Sequence, residues 1–255
     1  MFWNSKKSPL EVEEEDWILA CWEWLLKEYG PLEKLKQRRL VLGSDEFFPP
    51  SKAKGHARVE HLFNCVARLT GTADWPYVLV PQEGAINPVL APLAVVKDAP
   101  SDPAGTFAVH GDGQIRITYN PDLISQPTKL IATLVHEVAH GLVLNARSRP
   151  PGEDELDEYA VDVTTVFLGF GLFGANHAFE FKQFSDMGSG TQGWSWSRLG
   201  YLSETQWGFC LGVFLRLRGE SADTALHWLR PGPAKALKRT LRYLDRNPGS
   251  LSALL

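Results

Sequence analysis

Apolar and polar positions recur with two periods along the chain, and each change of period marks an element. From Leu10 to Tyr29, residues Trp17, Ile18, Cys21, Trp22, Leu25 and Leu26 recur at helical intervals among acidic residues and stop at Gly30-Pro31. That pattern predicts an amphipathic helix. After the break FFPPS at Phe47 to Ser51, a second helical stripe runs from His56 to Leu69 through Val59, Leu62, Phe63 and Val66. Between Trp75 and Tyr119 the period shortens. The runs YVLV, TFAV and QIRITY, separated by proline and glycine turns that include HGDG at His110 to Gly113, predict a small sheet.

Helical spacing returns at Pro127-Thr128, where proline suits a first turn, and continues through LIATLVHEVAHGLVL. A second helix is expected to start in the acidic cluster Glu153 to Glu158 and to reach about Phe170. The small-residue stretch from Gly188 to Gly200 reads as a mobile loop, in which Trp194 and Trp196 either line a cleft or anchor the loop. Ser203 to Arg218 and Ser221 to Leu244 read as helices. The expected organisation is a helical N-terminal subregion (1–72), a core (73–185) and a glycine-rich loop with a helical C-terminal subregion (186–255), together one compact unit.

Composition narrows the setting. The 255 residues are 44% hydrophobic and 22% charged with a net charge of -4, which gives no bias toward nucleic acid or anionic membrane. Lys235, Lys238, Arg239, Arg242 and Arg246 near the C-terminus therefore read as an exposed helix face, and no nucleic-acid partner is expected. Cys21, Cys65 and Cys210 are far apart and outside any C-x-x-C pattern, as buried thiols in a reducing compartment would be. No signal-like segment opens the chain, and its longest apolar run, Val166 to Ala175, is too short to span a bilayer. A cytoplasmic protein without a membrane span is expected; oligomeric state is left open.

The chemistry concentrates at His136-Glu137-Val138-Ala139-His140. Two imidazoles one helical turn apart share a face and can grip one zinc ion, and Glu137 between them is placed to address water there. Composition alone would produce such a motif in roughly one of 80 chains. Its context is apolar, with Leu130, Ile131, Leu134, Val135, Val138, Leu142 and Val143 around it, and a polar face within a buried helix needs partners. A catalytic zinc takes three protein ligands. Glu158 offers the third, with Glu155 as its competitor. Glu158 and Asp162 lie one turn apart, so one can ligate while the other hydrogen-bonds the free ring nitrogen of a liganding histidine.

On these residues the chain resembles the zincin metallopeptidases, specifically the glutamate-zincin (gluzincin) branch, whose pattern is His-Glu-x-x-His followed by Glu-x-x-x-Asp on a second helix. The resemblance covers about Gly105 to Phe170. It implies an α+β fold with a zincin-like core, made of a small sheet, an active-site helix and a second ligand helix, between mainly helical N- and C-terminal regions. It further implies zinc held by His136, His140 and Glu158, water activated by Glu137, His136 oriented by Asp162, and QIRITY lying along the cleft as an edge strand. The metzincin branch is excluded, because Val143 and Ala146 stand where it needs glycine and histidine.

The function expected from the motif and the resemblance is zinc-dependent hydrolysis of peptide bonds in a peptide or protein substrate. A hydrolase of non-peptide amides and a non-catalytic zinc-containing interaction or regulatory module are the alternatives; the retained Glu137 argues against the second, since a structural site has no use for a base. His177, Arg198 and Tyr201 follow the metal helices and are candidate donors to an oxyanion. His56, His61, His110 and His227 show no metal spacing and read as surface or hydrogen-bonded core histidines.

Overall fold

A computed structural model of the chain describes residues 7–82, 105–109, 113–186 (backbone only for 179–186) and 201–255. The Arg198 candidate, the Trp194 and Trp196 loop and His110 lie outside these residues. The fold is a mostly helical α+β arrangement around a three-stranded mixed sheet.

Helix α1 (Val12–Tyr29) begins at a capping box between Glu11 and Glu14 and ends at Gly30, whose φ of 121° suits glycine. Its apolar stripe buries Trp17, Ile18, Cys21, Trp22 and Leu25. These meet α5 (Asp157–Phe167) and α7 (Glu204–Arg218), with Trp22 against both Phe167 and Phe214. Each such side chain removed from water stabilises the fold by roughly 1.5–3 kcal/mol before entropy is counted. Helix α9 (Pro231–Arg246) closes this first apolar cluster from the C-terminal side.

A second cluster forms around α4 (Pro127–Leu144). On one side lies α3 (His56–Thr70); on another lies the sheet of β1 (Tyr77–Pro81), β2 (Gly105–Val109) and β3 (Ile115–Tyr119). The strand order is β1-β3-β2, with β3 parallel to β1 and antiparallel to β2. Ile115, Ile117 and Tyr119 alternate inward from β3 onto the helices. QIRITY is thus the central strand rather than the edge strand, because both of its sides are paired. The strand that runs beside α4 at the sheet edge is β2.

Three helical stretches depart from the sequence reading. Gly171–Asp186 is a helix, α6, within a stretch whose glycines disguise it. Those glycines serve close approach: a Cβ on Gly171 would fall 2.8 Å from Leu211, and one on Gly174 would fall 2.2 Å from the Trp207 ring. The single helix expected from Ser221 to Leu244 is two, α8 (Asp223–Trp228) and α9. Pro231 forces Arg230 into extended backbone and then occupies the first turn of the new helix. A short helix, α2 (Leu32–Gln37), also escaped the pattern. The acidic cluster opens as a 3-10 turn, Asp154–Leu156, before α5 begins. All three cysteines are buried free thiols, and among the described residues no helix is long and apolar enough to cross a membrane.

Candidate metal centre

Helices α4 and α5 meet at the junction of the two apolar clusters, and their polar residues face each other there. His136 and His140 stand one turn apart on α4; Glu158 and Asp162 stand one turn apart on α5. The Nε2 atoms of His136 and His140 are 3.2 Å apart, and Glu158 Oε2 lies 3.3 Å from the first and 3.4 Å from the second. Three donor atoms thus form a nearly equilateral triangle. Tetrahedral ligation with bonds of about 2.0–2.1 Å places neighbouring donors about 3.3 Å apart. The triangle has that edge, so His136, His140 and Glu158 are a group that could hold a metal ion.

The contacts behind these three side chains are specific. His136 Nδ1 lies 3.1 Å from Asp162 Oδ1, while Asp162 Oδ2 accepts a 2.9 Å bond from the Leu202 backbone N–H. With Nδ1–H donating to Asp162, the His136 Nε2 lone pair is left facing the triangle. Burial alone would disfavour a charged His136, but the Asp162 and Glu158 carboxylates outweigh it and raise its pKa. Burial also pushes the Asp162 carboxyl up, against the opposing bonds from His136 and Leu202. For Glu158 the same desolvation is overcome by the two imidazoles, which hold its carboxyl well below the usual range. The side chains of His136, His140 and Glu158 are 12%, 22% and 45% exposed, so the triangle is walled on the His136 side and open on the Glu158 side.

Glu137 is buried beside the triangle, and burial raises its pKa although the two histidines act in the opposite direction. Strand β2 runs directly over it. A Cβ on Gly105 would fall 2.9 Å from Glu137 Oε1 and 2.8 Å from Thr133 Cγ2, so only glycine permits this approach. Two residues along the same face, Phe107 stacks on the His140 ring at 6.4 Å and 23° and touches the position where Gly141 lacks a Cβ.

Comparisons with protein-family models, curated proteins and solved structures find no match for this chain. Its chemistry is therefore read from its own geometry.

The remaining candidates divide. Tyr201 lines the cavity beside His136 and Glu137, with its ring 5.5 Å from that of His136. Burial, with the Glu158, Asp162 and Glu137 carboxylates nearby, pushes its phenol pKa up, which keeps the proton available for donation. His177 faces a different cavity, 3.2 Å from Thr128 Oγ1 at the start of α4 and beside Asn176 and Trp228. Glu155 is exposed on the 3-10 turn and stands outside the group that could hold a metal. His56 bonds to the Tyr119 hydroxyl at 2.9 Å and His61 to the Pro49 carbonyl at 2.7 Å, as hydrogen-bonded histidines. Sequence reasoning missed Thr133, Gly105 and Trp207, which also line the cavity. Thr133 carried a usable signal, since it precedes Glu137 by one turn on the same face; Gly105 and Trp207 reach the site only through tertiary packing.

Proposed function

We propose that the chain is a zinc-dependent hydrolase of peptide bonds, of the gluzincin kind. The observation that carries the reading is the His136, His140 and Glu158 triangle with Glu137 buried at its side and one flank accessible to solvent. A structural zinc closes its shell with four protein ligands and needs no carboxylate beside it. When bound, zinc supplies Lewis acidity, polarising the scissile carbonyl and acidifying water.

The protein's own groups divide the rest of the work. Glu137 takes the proton of the attacking water and returns it to the leaving amine. Tyr201, still protonated because of its burial among carboxylates, donates a hydrogen bond to the carbonyl oxygen as negative charge develops there. Asp162 fixes the ring orientation of His136 and, through the Leu202 N–H, ties that ligand to the backbone that follows Tyr201. The outer side of β2 pairs with no other strand among the described residues, so an extended peptide adds there, antiparallel or parallel, alongside Glu137.

The test is cleavage of a peptide library by purified, zinc-loaded protein. Cleavage that disappears on chelation and in Glu137→Ala is expected. Absence of cleavage above the Glu137→Ala control would remove the peptidase reading.

A further inference from the structure

A groove at the far end of α5 from the candidate metal centre collects positive charge. Leu168, the C-cap of α5, lines it and lies ten residues beyond Glu158, about 15 Å along the helix. With Leu168 stand Lys34 of α2, Arg38 at the α2 C-cap, Arg39 and, from the last turn of α3, Arg68. The groove is open, has a volume of about 460 Å³ and has no carboxylate in its wall. Since the chain as a whole carries a net charge of -4, the excess is local.

Of these cations, Arg39 pairs with Glu46. Lys34, Arg38 and Arg68 form no ion pair among the described residues. Arg68 has a single weak contact, to the Cys65 sulfur at 3.9 Å. Arg38 is half-buried with its guanidinium 5.0 Å from the centre of the Phe167 ring. Burial lowers its pKa, and no carboxylate acts in the opposite direction. Stacking on an aromatic face holds the guanidinium in place and uses none of its N–H donors. The carbonyl ends of α2, α3 and α5 meet at the groove and offset some of the charge. Each helix end counts for at most about half an elementary charge, so together they do not cancel three unpaired cations.

We propose that this groove binds a small anion carrying two linked phosphate groups, with Arg38 as the fixed fork and Lys34 and Arg68 supplying the remaining charge. A phosphate group carries about 1.5–2 negative charges at neutral pH, so two of them match three cations, whereas a lone carboxylate leaves two unmet. Arginine presents parallel N–H donors at the spacing of phosphate oxygens. Nothing in the site depends on the chemistry at the metal centre.

Calorimetric titration of the full chain with inorganic pyrophosphate, orthophosphate and citrate tests it. Pyrophosphate is expected to bind tightest, and to weaken as salt is raised. Lys34→Ala and Arg68→Ala, at exposed positions, should each weaken it by about fivefold to tenfold, the loss of one charge-assisted contact. Arg38→Lys, which keeps the charge and removes the fork, should weaken it as well. Pyrophosphate also coordinates zinc, so the same titration is run on His140→Ala, where the affinity should be unchanged. Absence of pyrophosphate binding, citrate binding as tightly as pyrophosphate, an affinity that Lys34→Ala and Arg68→Ala leave unchanged, or one lost in His140→Ala overturns the proposal. None of these outcomes touches the peptidase reading, which stands or falls on cleavage.

Discussion

Two helix pairs in this protein solve the same packing problem in opposite ways. Helices α7 and α9 approach through small residues. A Cβ on Gly208 would fall 2.6 Å from Ala236 Cβ and 2.8 Å from the Ala236 backbone, and one on Gly212 would fall 2.5 Å from Thr240 Cγ2. Their contact is mainly apolar, with Phe209, Val213, Leu237, Leu241 and Leu244 around it, the buried Thr240 hydroxyl within it and an Arg216–Asp245 ion pair joining the two helices. Helices α4 and α5 approach across His136, His140, Glu158 and Asp162, so their contact brings together four groups that water would otherwise solvate. In the first pair the charged groups meet each other, Arg216 donating to both carboxylate oxygens of Asp245. The second has its polar atoms at the spacing a metal requires, and burying such groups without one costs stability. A protein selected for stability alone would make both contacts like the first, which is why the proposed function is placed at the α4/α5 seam.

Substitutions that strike one pair and spare the other test that contrast. The largest effect is expected from Glu137→Gln, which removes the base and leaves the ligands: peptide hydrolysis should fall by about 10²–10⁴-fold, with zinc content unchanged by elemental analysis. Tyr201→Phe should lower kcat by about 10²-fold while leaving KM nearly unchanged, as loss of an oxyanion donor does. Asp162→Asn keeps the shape but changes the hydrogen bond to His136, and zinc affinity measured against a chromophoric chelator should weaken by about 10–100-fold.

On the other pair, Gly208→Leu should destabilise the fold by about 1–3 kcal/mol in thermal or denaturant unfolding, since α9 must move to admit it. Zinc stoichiometry should stay the same in that variant. A Gly208→Leu protein that folds normally but loses zinc would break the contrast.

The smallest effect concerns Glu28, which ties α1 to the turn after α4. It accepts bonds from the Arg147 N–H at 2.9 Å and the Ser148 hydroxyl at 2.5 Å, chiefly the latter lowering its pKa. A carboxyl with a lowered folded-state pKa contributes stability above its unfolded pKa and loses it as pH falls through the folded value. The Tm difference between the parent and Glu28→Gln should therefore be present at neutral pH and shrink on acidification below the ordinary glutamate range. A difference that grows toward acid would contradict this.

The same contrast explains what could be read from the sequence. The grouping of these side chains at the α4/α5 seam was legible because it is local: His136, Glu137 and His140 lie within two turns of one helix, and Glu158 and Asp162 within another, so helical spacing alone aligns each set. Helices α1 and α3 were legible for the same reason, from continuous apolar stripes. The order β1-β3-β2 was not, because pairing of Tyr77 with Ile115 joins residues far apart in the chain and no periodicity records it. Helix α6 was hidden by Gly171 and Gly174, which look like breakers in the sequence and serve in the fold as contact points for Leu211 and Trp207. The α8/α9 break was written in Pro231 and Pro233, whose weight against a continuous helix exceeds that of the apolar stripe.

The central claim is that His136, His140 and Glu158 hold one zinc ion and leave a position for water and substrate. X-ray absorption spectroscopy at the zinc edge on the loaded chain tests it most directly. The predicted result is two imidazole nitrogens and two oxygens, one carboxylate and one exchangeable, at about 2.0–2.1 Å, with one imidazole lost in His140→Ala. A chain that retains no zinc, or one whose zinc shows four protein ligands unaffected by His140→Ala, would contradict it.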